Sequence, residues 1–129
     1  MSICDKNLWL DTTFFKMLFE SHKEEPWFSL LASEKKTIDG RLKKGKYGEI
    51  KPGDNIVVYS SDEKNFLKTK VLVVRYYDNF SDMIKAEGVE KILPGIKNIE
   101  TAIATYRKYY SEEDEKKFGV VALEIEIMK

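Results

Sequence analysis

Few of the residues that build covalent or metal-bound sites are present in this chain of 129 residues. It contains one cysteine, Cys4, and one histidine, His22. An intrachain disulfide is therefore excluded, and nothing supports a zinc site or a Cys–His catalytic pair. A Walker loop and a dinucleotide-binding fingerprint are also missing. We expect no metal and no cofactor.

Long apolar runs are also missing. The longest, such as those at positions 56–59 and 71–74, are far too short to cross a bilayer. No apolar signal segment is seen near Asp5 and Lys6. With a single cysteine suited to a reducing compartment, these features predict a cytoplasmic protein that does not span a membrane. The sequence does not indicate an oligomeric state.

The chain has no excess of either charge, with 22 basic and 22 acidic residues. This argues against tight, nonspecific binding to long nucleic acid, which needs many phosphate contacts. The charge is nevertheless uneven, because the segment 35–51 is rich in lysine and an acidic turn follows Tyr110. The basic segment favours either a site for a short or local anionic ligand or a solvated hairpin.

The length fits one domain over residues 1–129, and no repeat or linker interrupts it. Asp11 or Thr12 could cap a short first helix with Phe14, Phe15, Leu18 and Phe19. A second helix is predicted from Pro26 to about Lys35. Alternating or β-branched stretches predict strands at 37–42, 55–60, 66–77 and 119–128.

Helices are predicted again between the last two strands. Asn79 or Ser81 could cap the first, which Gly88 would end, and Asn98 could cap the second, which extends to Tyr110. Ser111 and Asp114 resemble a capping box for another short helix. This order differs from the alternation of a Rossmann-like fold and predicts an α+β domain. We expect a curled, mostly antiparallel sheet, closed by the last strand, with helices outside.

The segment 26–54 carries a family resemblance. Pro26-Trp27 opens a helix, Lys36, Asp39 and Arg41 follow at fixed spacing, and Pro52-Gly53-Asp54 forms a turn. This order resembles the ASCH domain family, whose signature is Gly-x-Lys-x-x-Glu-x-Arg and which is related to PUA RNA-binding domains. Two residues depart from the signature, since Asp39 replaces its glutamate and Glu34 its leading glycine. The segments 86–95 and 106–110 also resemble one ASCH subgroup.

The resemblance implies a PUA-like β-barrel with a cleft beside the signature and a role in binding RNA. Some members remove the acetyl group of N4-acetylcytidine with a lysine, a threonine and a glutamate, and others are described as ribonucleases. Lys36 matches that lysine. The threonine position is occupied by Asp39, with Thr37 out of register, and the glutamate could correspond to Glu87 or Glu90.

Glu87 shares a helical stripe with Phe80, Met83 and Ile84, which should be buried. A buried carboxylate needs a partner, and Lys36 or Arg41 is the predicted one. Alternatively, Glu87 bends into solvent at the end of its helix.

Strict alternation places Lys36 on the opposite side of its strand from Asp39 and Arg41. These residues form one cluster only if Lys36 lies in the joint before the strand. Alternatively, they are exposed strand charges that pair with each other and contribute little. Tyrosines offer stacking surfaces for bases, and Tyr106 and Tyr110 are expected in the core. The candidate ligand-binding residues are Arg41, Lys46, Tyr47 and Tyr109.

The leading hypothesis is a module that binds RNA or a modified nucleoside beside Lys36, Asp39 and Arg41. The alternative is a small hydrolase, an amidohydrolase or a ribonuclease, in which Lys36 acts with Asp39 or Glu87. A domain that binds a protein partner and uses the barrel only as a scaffold is a third reading.

Overall fold

Five strands and five helices follow one another in the computed structural model, which describes residues 17–129. In chain order they are β1 (Leu18–Lys23), α1 (Trp27–Ala32), β2 (Ile38–Leu42), a 3-10 turn (Gly45–Gly48), β3 (Asn55–Ser60), β4 (Phe66–Tyr77), α2 (Phe80–Glu87), α3 (Val89–Ile92), α4 (Ile99–Arg107), α5 (Glu112–Phe118) and β5 (Val120–Ile127). The predicted α+β class with surrounding helices is confirmed. In the described part of the chain, no helix has the length and apolar character needed to cross a membrane.

The strands form one curled sheet in the order β1-β3-β4-β5-β2. Neighbours are antiparallel except β1 and β3, which are parallel. The last strand was expected to close a barrel, but β5 lies inside the sheet, between β4 and β2. The sheet is therefore a half-barrel with edges β1 and β2. We call the gap between these two edges the seam.

The prediction of a short helix near the N-terminus is wrong for the residues of that segment that the structure describes. Leu18 and Phe19 lie in β1, paired with residues of β3 more than thirty positions away. Local helical spacing is a weak preference, and pairing with a distant strand overrides it. The suggested caps Asp11 and Thr12, with Phe14 and Phe15, lie outside the described residues.

The other helix ends follow from side-chain caps. Asn79, Asn98 and Ser111 each accept a hydrogen bond from the backbone N–H three residues later, as the sequence predicts for α2, α4 and α5. Two helices end earlier than expected, α1 at Ala32 and α4 at Arg107. The helix α3 and the 3-10 turn were not predicted.

Two apolar clusters cover the two faces of the sheet. Helices α2 and α4 pack on one face, where Phe80 and Met83 meet Ala122 of β5. On the other face, Leu31 of α1 meets Leu123 of β5. The first residues of β5, from Val120 to Leu123, are thus buried on both faces. Each large buried side chain contributes roughly 1.5–3 kcal/mol to this packing.

Candidate functional site

Side chains rather than backbone pairing connect the two strands at the seam. Lys23 Nζ of β1 lies 2.7 Å from Asp39 Oδ1 of β2. The Arg41 Nη2 of β2 donates to the backbone oxygen of His22 in β1 at 3.0 Å, and Arg41 Nε lies 3.1 Å from Asp39 Oδ2. The half-barrel is therefore held across its gap by a cluster of charges.

A cleft with a volume of about 230 Å³ opens at the seam. Its polar side is formed by Lys23, Lys36, Asp39 and Arg41, and its aromatic side by Trp27, Tyr106, Tyr109 and Tyr110. Three cationic side chains thus face one carboxylate beside a wall of aromatic rings. Such a combination suits a flat ligand that carries hydrogen-bond acceptors or negative charge.

Lys36 lies in the joint between α1 and β2. This is the position that it must have to form one cluster with Asp39 and Arg41. The residue is only 3% exposed. Its Nζ donates to the backbone oxygen of Ile38 at 2.7 Å and to that of Ile92. Burial lowers the pKa of Lys36 to about 7, with Lys23 acting in the same direction and Asp39 against it. Near neutral pH the amine is therefore present in both charged and neutral forms.

Asp39 stays ionised in this buried cluster. Burial would raise the pKa of its carboxyl, but Arg41 and Lys23 outweigh burial and hold it well below the usual range. Burial also lowers the pKa of Lys23, to about 8, although Asp39 opposes that effect. The bonded groups Lys23, Asp39 and Arg41 have side chains that are 8%, 6% and 15% exposed. The alternative interpretation, that these residues are exposed strand charges, is therefore wrong.

The other predicted ligand-binding residues divide into two groups. Tyr109 lines the cleft and is 46% exposed. Tyr47 and Lys46 are not among the lining residues, but they adjoin them: the Arg41 guanidinium lies 4.9 Å from the centre of the Tyr47 ring. Lys46 Nζ lies 5.5 Å from the same ring and donates to the backbone oxygen of Glu20 in β1. These two residues support Arg41 and the edge of β1.

The expected pairing of Glu87 with Lys36 or Arg41 is wrong. Glu87 accepts two hydrogen bonds from Arg75, at 2.6 and 2.8 Å, and one from the Tyr77 hydroxyl at 2.5 Å. Burial opposes its ionisation, but these donors lower its pKa. The carboxylate was correctly expected to be buried and paired. Its partners come from β4, which packs against α2, and Glu87 does not line the cleft.

Glu90, the other candidate glutamate, is exposed and accepts a hydrogen bond of 3.4 Å from the Gly95 backbone. It does not line the cleft either. Among residues 17–129, no group of three or more His, Cys, Asp or Glu side chains is placed to hold a metal ion.

Sequence reasoning missed Lys23 and the full role of Tyr106. Lys23 was not predicted as a site residue because its segment was not predicted to be a strand. Tyr106 was expected in the core, and its ring is buried against Phe80, with ring centres 4.4 Å apart. The residue nevertheless lines the cleft.

The curled five-stranded half-barrel with outer helices defines a PUA-like fold. The sequence model of the ASCH domain family matches residues 22–129. The chain belongs to the ASCH domain family.

Solved structures agree with this assignment. The hypothetical protein PH0355 is 44% identical, with a TM-score of 0.78 over 87% of this chain and 100% of the other. Protein PF0455 from Pyrococcus furiosus is 44% identical, with a TM-score of 0.71 over 88% of this chain and 99% of the other. An ASCH domain from Lactobacillus crispatus JV V101 shares the fold at 15% identity, with a TM-score of 0.58 over 84% and 79%. No curated protein matches this chain.

Proposed function

We propose that the cleft at the seam binds RNA or a nucleoside, and that Lys36, Asp39 and Arg41 hold the ligand. The observation that carries this proposal is the buried group of three basic side chains around one carboxylate, directly beside four aromatic side chains. Burying these charges costs free energy. A ligand that occupies the cleft and bonds to them would offset part of that cost.

The size of the cleft favours a single nucleotide unit. Its volume of about 230 Å³ lies below the range of roughly 300–1,000 Å³ that is typical of pockets for drug-sized ligands. A base with part of its ribose fits such a space, whereas duplex RNA does not. The absence of net charge agrees with a local contact of this kind rather than with broad phosphate binding. Tyr109 would stack on the base at the mouth of the cleft.

Binding can be measured by fluorescence anisotropy with short single-stranded RNA and by calorimetry with nucleosides, both at low salt. We expect Arg41→Ala to weaken binding at least tenfold, because it removes a charged donor from the polar side of the cleft. Arg75→Ala is the matched control, since Arg75 is also ion-paired but lies outside the cleft. Wild-type protein that binds neither RNA nor nucleosides would refute the proposal.

The hydrolase alternative is favoured by one specific observation, the environment of Lys36. Its amine donates hydrogen bonds to two backbone oxygens, and burial lowers its pKa to about 7. The neutral amine would satisfy both oxygens with its two hydrogens and keep its lone pair free to accept a proton from water. The resulting hydroxide would attack the acetyl carbonyl of N4-acetylcytidine. The Lys36 ammonium would then return its proton to the N4 nitrogen as the bond between that nitrogen and the acetyl carbon breaks, which yields acetate and cytidine. Asp39 rather than Glu87 is the carboxylate beside this amine.

Incubation with N4-acetylcytidine, read by chromatography, tests this alternative. Lys36→Ala should abolish release of cytidine, while Lys35→Ala, a change at the exposed neighbour, should preserve it. Circular dichroism of both variants checks that they remain folded. If wild type and Lys36→Ala release cytidine equally slowly, the hydrolase alternative fails for this substrate. Short RNA in the same pair of assays tests the ribonuclease version.

A further inference from the structure

The hydrogen-bond pattern of β2 determines which of its backbone groups face the cleft. In an antiparallel pair, residues alternate between those that bond to the neighbouring strand and those that point away from it. The backbone oxygen of Thr37 accepts a hydrogen bond from the N–H of Ile125, and the N–H of Lys43 donates to the backbone oxygen of Gly119. These two bonds lie at the two ends of the pairing between β2 and β5. The odd-numbered residues of β2 therefore bond to β5. The backbone N–H and C=O of Gly40 point to the opposite side, the open edge of β2.

The outward-facing carbonyls on either side of Gly40 are already bonded. Lys36 Nζ donates to the oxygen of Ile38, and the backbone N–H of Lys44 donates to the oxygen of Leu42. For Gly40, no hydrogen-bond partner of the N–H or the C=O is found among residues 17–129. Gly40 is buried and lines the cleft. Backbone groups in such a position are rarely left without a partner.

A third polar group without a partner lies at the same place. The hydroxyl of Tyr106 is buried and has no hydrogen-bond partner in the described part of the chain. It lies 2.8 Å from the position that a Cβ of residue 40 would occupy. Because the Tyr106 ring is stacked on Phe80, the hydroxyl is fixed in this position. Only glycine at position 40 leaves space for it, since a Cβ would also collide with Met83.

We propose that the backbone N–H and C=O of Gly40, together with the Tyr106 hydroxyl, bind the hydrogen-bonding edge of a nucleobase in the cleft. This inference rests on the proposed function and specifies which part of the nucleoside is recognised. An N–H and a C=O from one residue, side by side, complement a flat edge that offers an acceptor next to a donor. An extended peptide needs a run of free groups along the edge, and the flanking carbonyls are already used.

Methylated nucleosides test the inference from the ligand side. Methylation of N3 in uridine removes the donor of the base edge and adds bulk there, whereas methylation of C5 leaves that edge intact. We expect 3-methyluridine to bind at least tenfold more weakly than uridine in calorimetry, and 5-methyluridine to bind within about twofold. The same comparison with 3-methylcytidine and 5-methylcytidine covers a cytosine ligand. Equal binding of both methylated forms would overturn the inference.

Protein NMR tests the same contact from the other side. Titration of the protein with the tightest-binding nucleoside should shift the Gly40 amide signal and slow its exchange with solvent. Tyr106→Phe should weaken nucleoside binding about fivefold and leave the melting temperature unchanged or higher, because it removes a buried hydroxyl without a partner. Gly40→Ala should weaken binding more strongly, and the Phe variant keeps the test valid if the Ala variant does not fold.

The outcomes separate this inference from the proposed function. Nucleoside binding that persists with 3-methylated bases, with an unprotected Gly40 amide, would refute base-edge recognition but leave the proposed function standing. Protection of the Gly40 amide by an extended peptide, and not by nucleosides, would likewise refute base-edge recognition. Failure of wild-type protein to bind any nucleoside or RNA would refute both the inference and the proposed function.

Discussion

Replacing Lys36 with methionine should flatten the dependence of stability on pH above neutrality. Burial lowers the pKa of Lys36 to about 7 in the folded protein, from its ordinary value of 10.5. Between these values the unfolded chain holds a proton that the folded protein has released, so the free energy of unfolding rises with pH. Below the lower value the amine is charged in both states, and above the higher value it is neutral in both.

The magnitude follows from the size of this shift. One pKa unit corresponds to about 1.4 kcal/mol. Between about pH 7 and pH 9, a lysine with this shift contributes about 2 kcal/mol to the rise in the free energy of unfolding. Methionine keeps an unbranched side chain but cannot titrate. It leaves the carbonyls of Ile38 and Ile92 without the Nζ donor, which costs roughly 1–3 kcal/mol for each and is independent of pH.

Urea unfolding followed by circular dichroism at several pH values and constant ionic strength measures this effect. The difference in free energy of unfolding between wild type and Lys36→Met should change by about 2 kcal/mol over that interval. Lys35→Met, at an exposed position, should run parallel to wild type. Curves for wild type and Lys36→Met that stay parallel within about 0.5 kcal/mol would refute the reasoning.

Three further predictions concern the same fold. Asp39→Asn should lower the free energy of unfolding by about 3–5 kcal/mol in urea titrations, since it leaves buried cations uncompensated; a loss no larger than that of the exposed control Asp78→Asn would contradict it. Glu87→Gln should lower stability through its contacts with Arg75 but leave nucleoside affinity within about twofold in calorimetry; a large loss of affinity would place Glu87 in the site after all. Asn98→Ala should lower the melting temperature, with a cost of about 1 kcal/mol for the lost cap of α4; an unchanged melting temperature would show that the cap is not needed.

Local patterns predicted most elements of this fold. The strands β3 and β4 and the helix α2 have the bounds expected from alternation and from the Asn79 cap. The bounds of these elements depend on residues that are close in the sequence, so the local sequence is enough to predict them. The strand β1 was missed because its conformation depends on parallel pairing with β3, and parallel pairing leaves no local signal such as a tight turn.

The candidate site was predicted in part for the same reason. Lys36, Asp39 and Arg41 come together because one joint and one strand carry all three. Lys23 and Tyr106 reach them from β1 and α4, and only the curvature of the sheet brings these elements to the seam. For Glu87, the sequence predicted a buried, paired carboxylate. Its partner Arg75 could not be predicted, because that choice depends on how α2 packs on β4.

The seam has a consequence for how ligands can be discovered. Lys23 and Asp39 connect β1 and β2, which are the two edge strands of the sheet. A molecule bound across them would therefore link one edge of the sheet to the other. Such a molecule would resist unfolding of the whole half-barrel, adding roughly 2.7 kcal/mol when present at a hundred times its dissociation constant. A library of nucleosides ranked by the rise in melting temperature would thus test for binding at the seam without any assay of turnover.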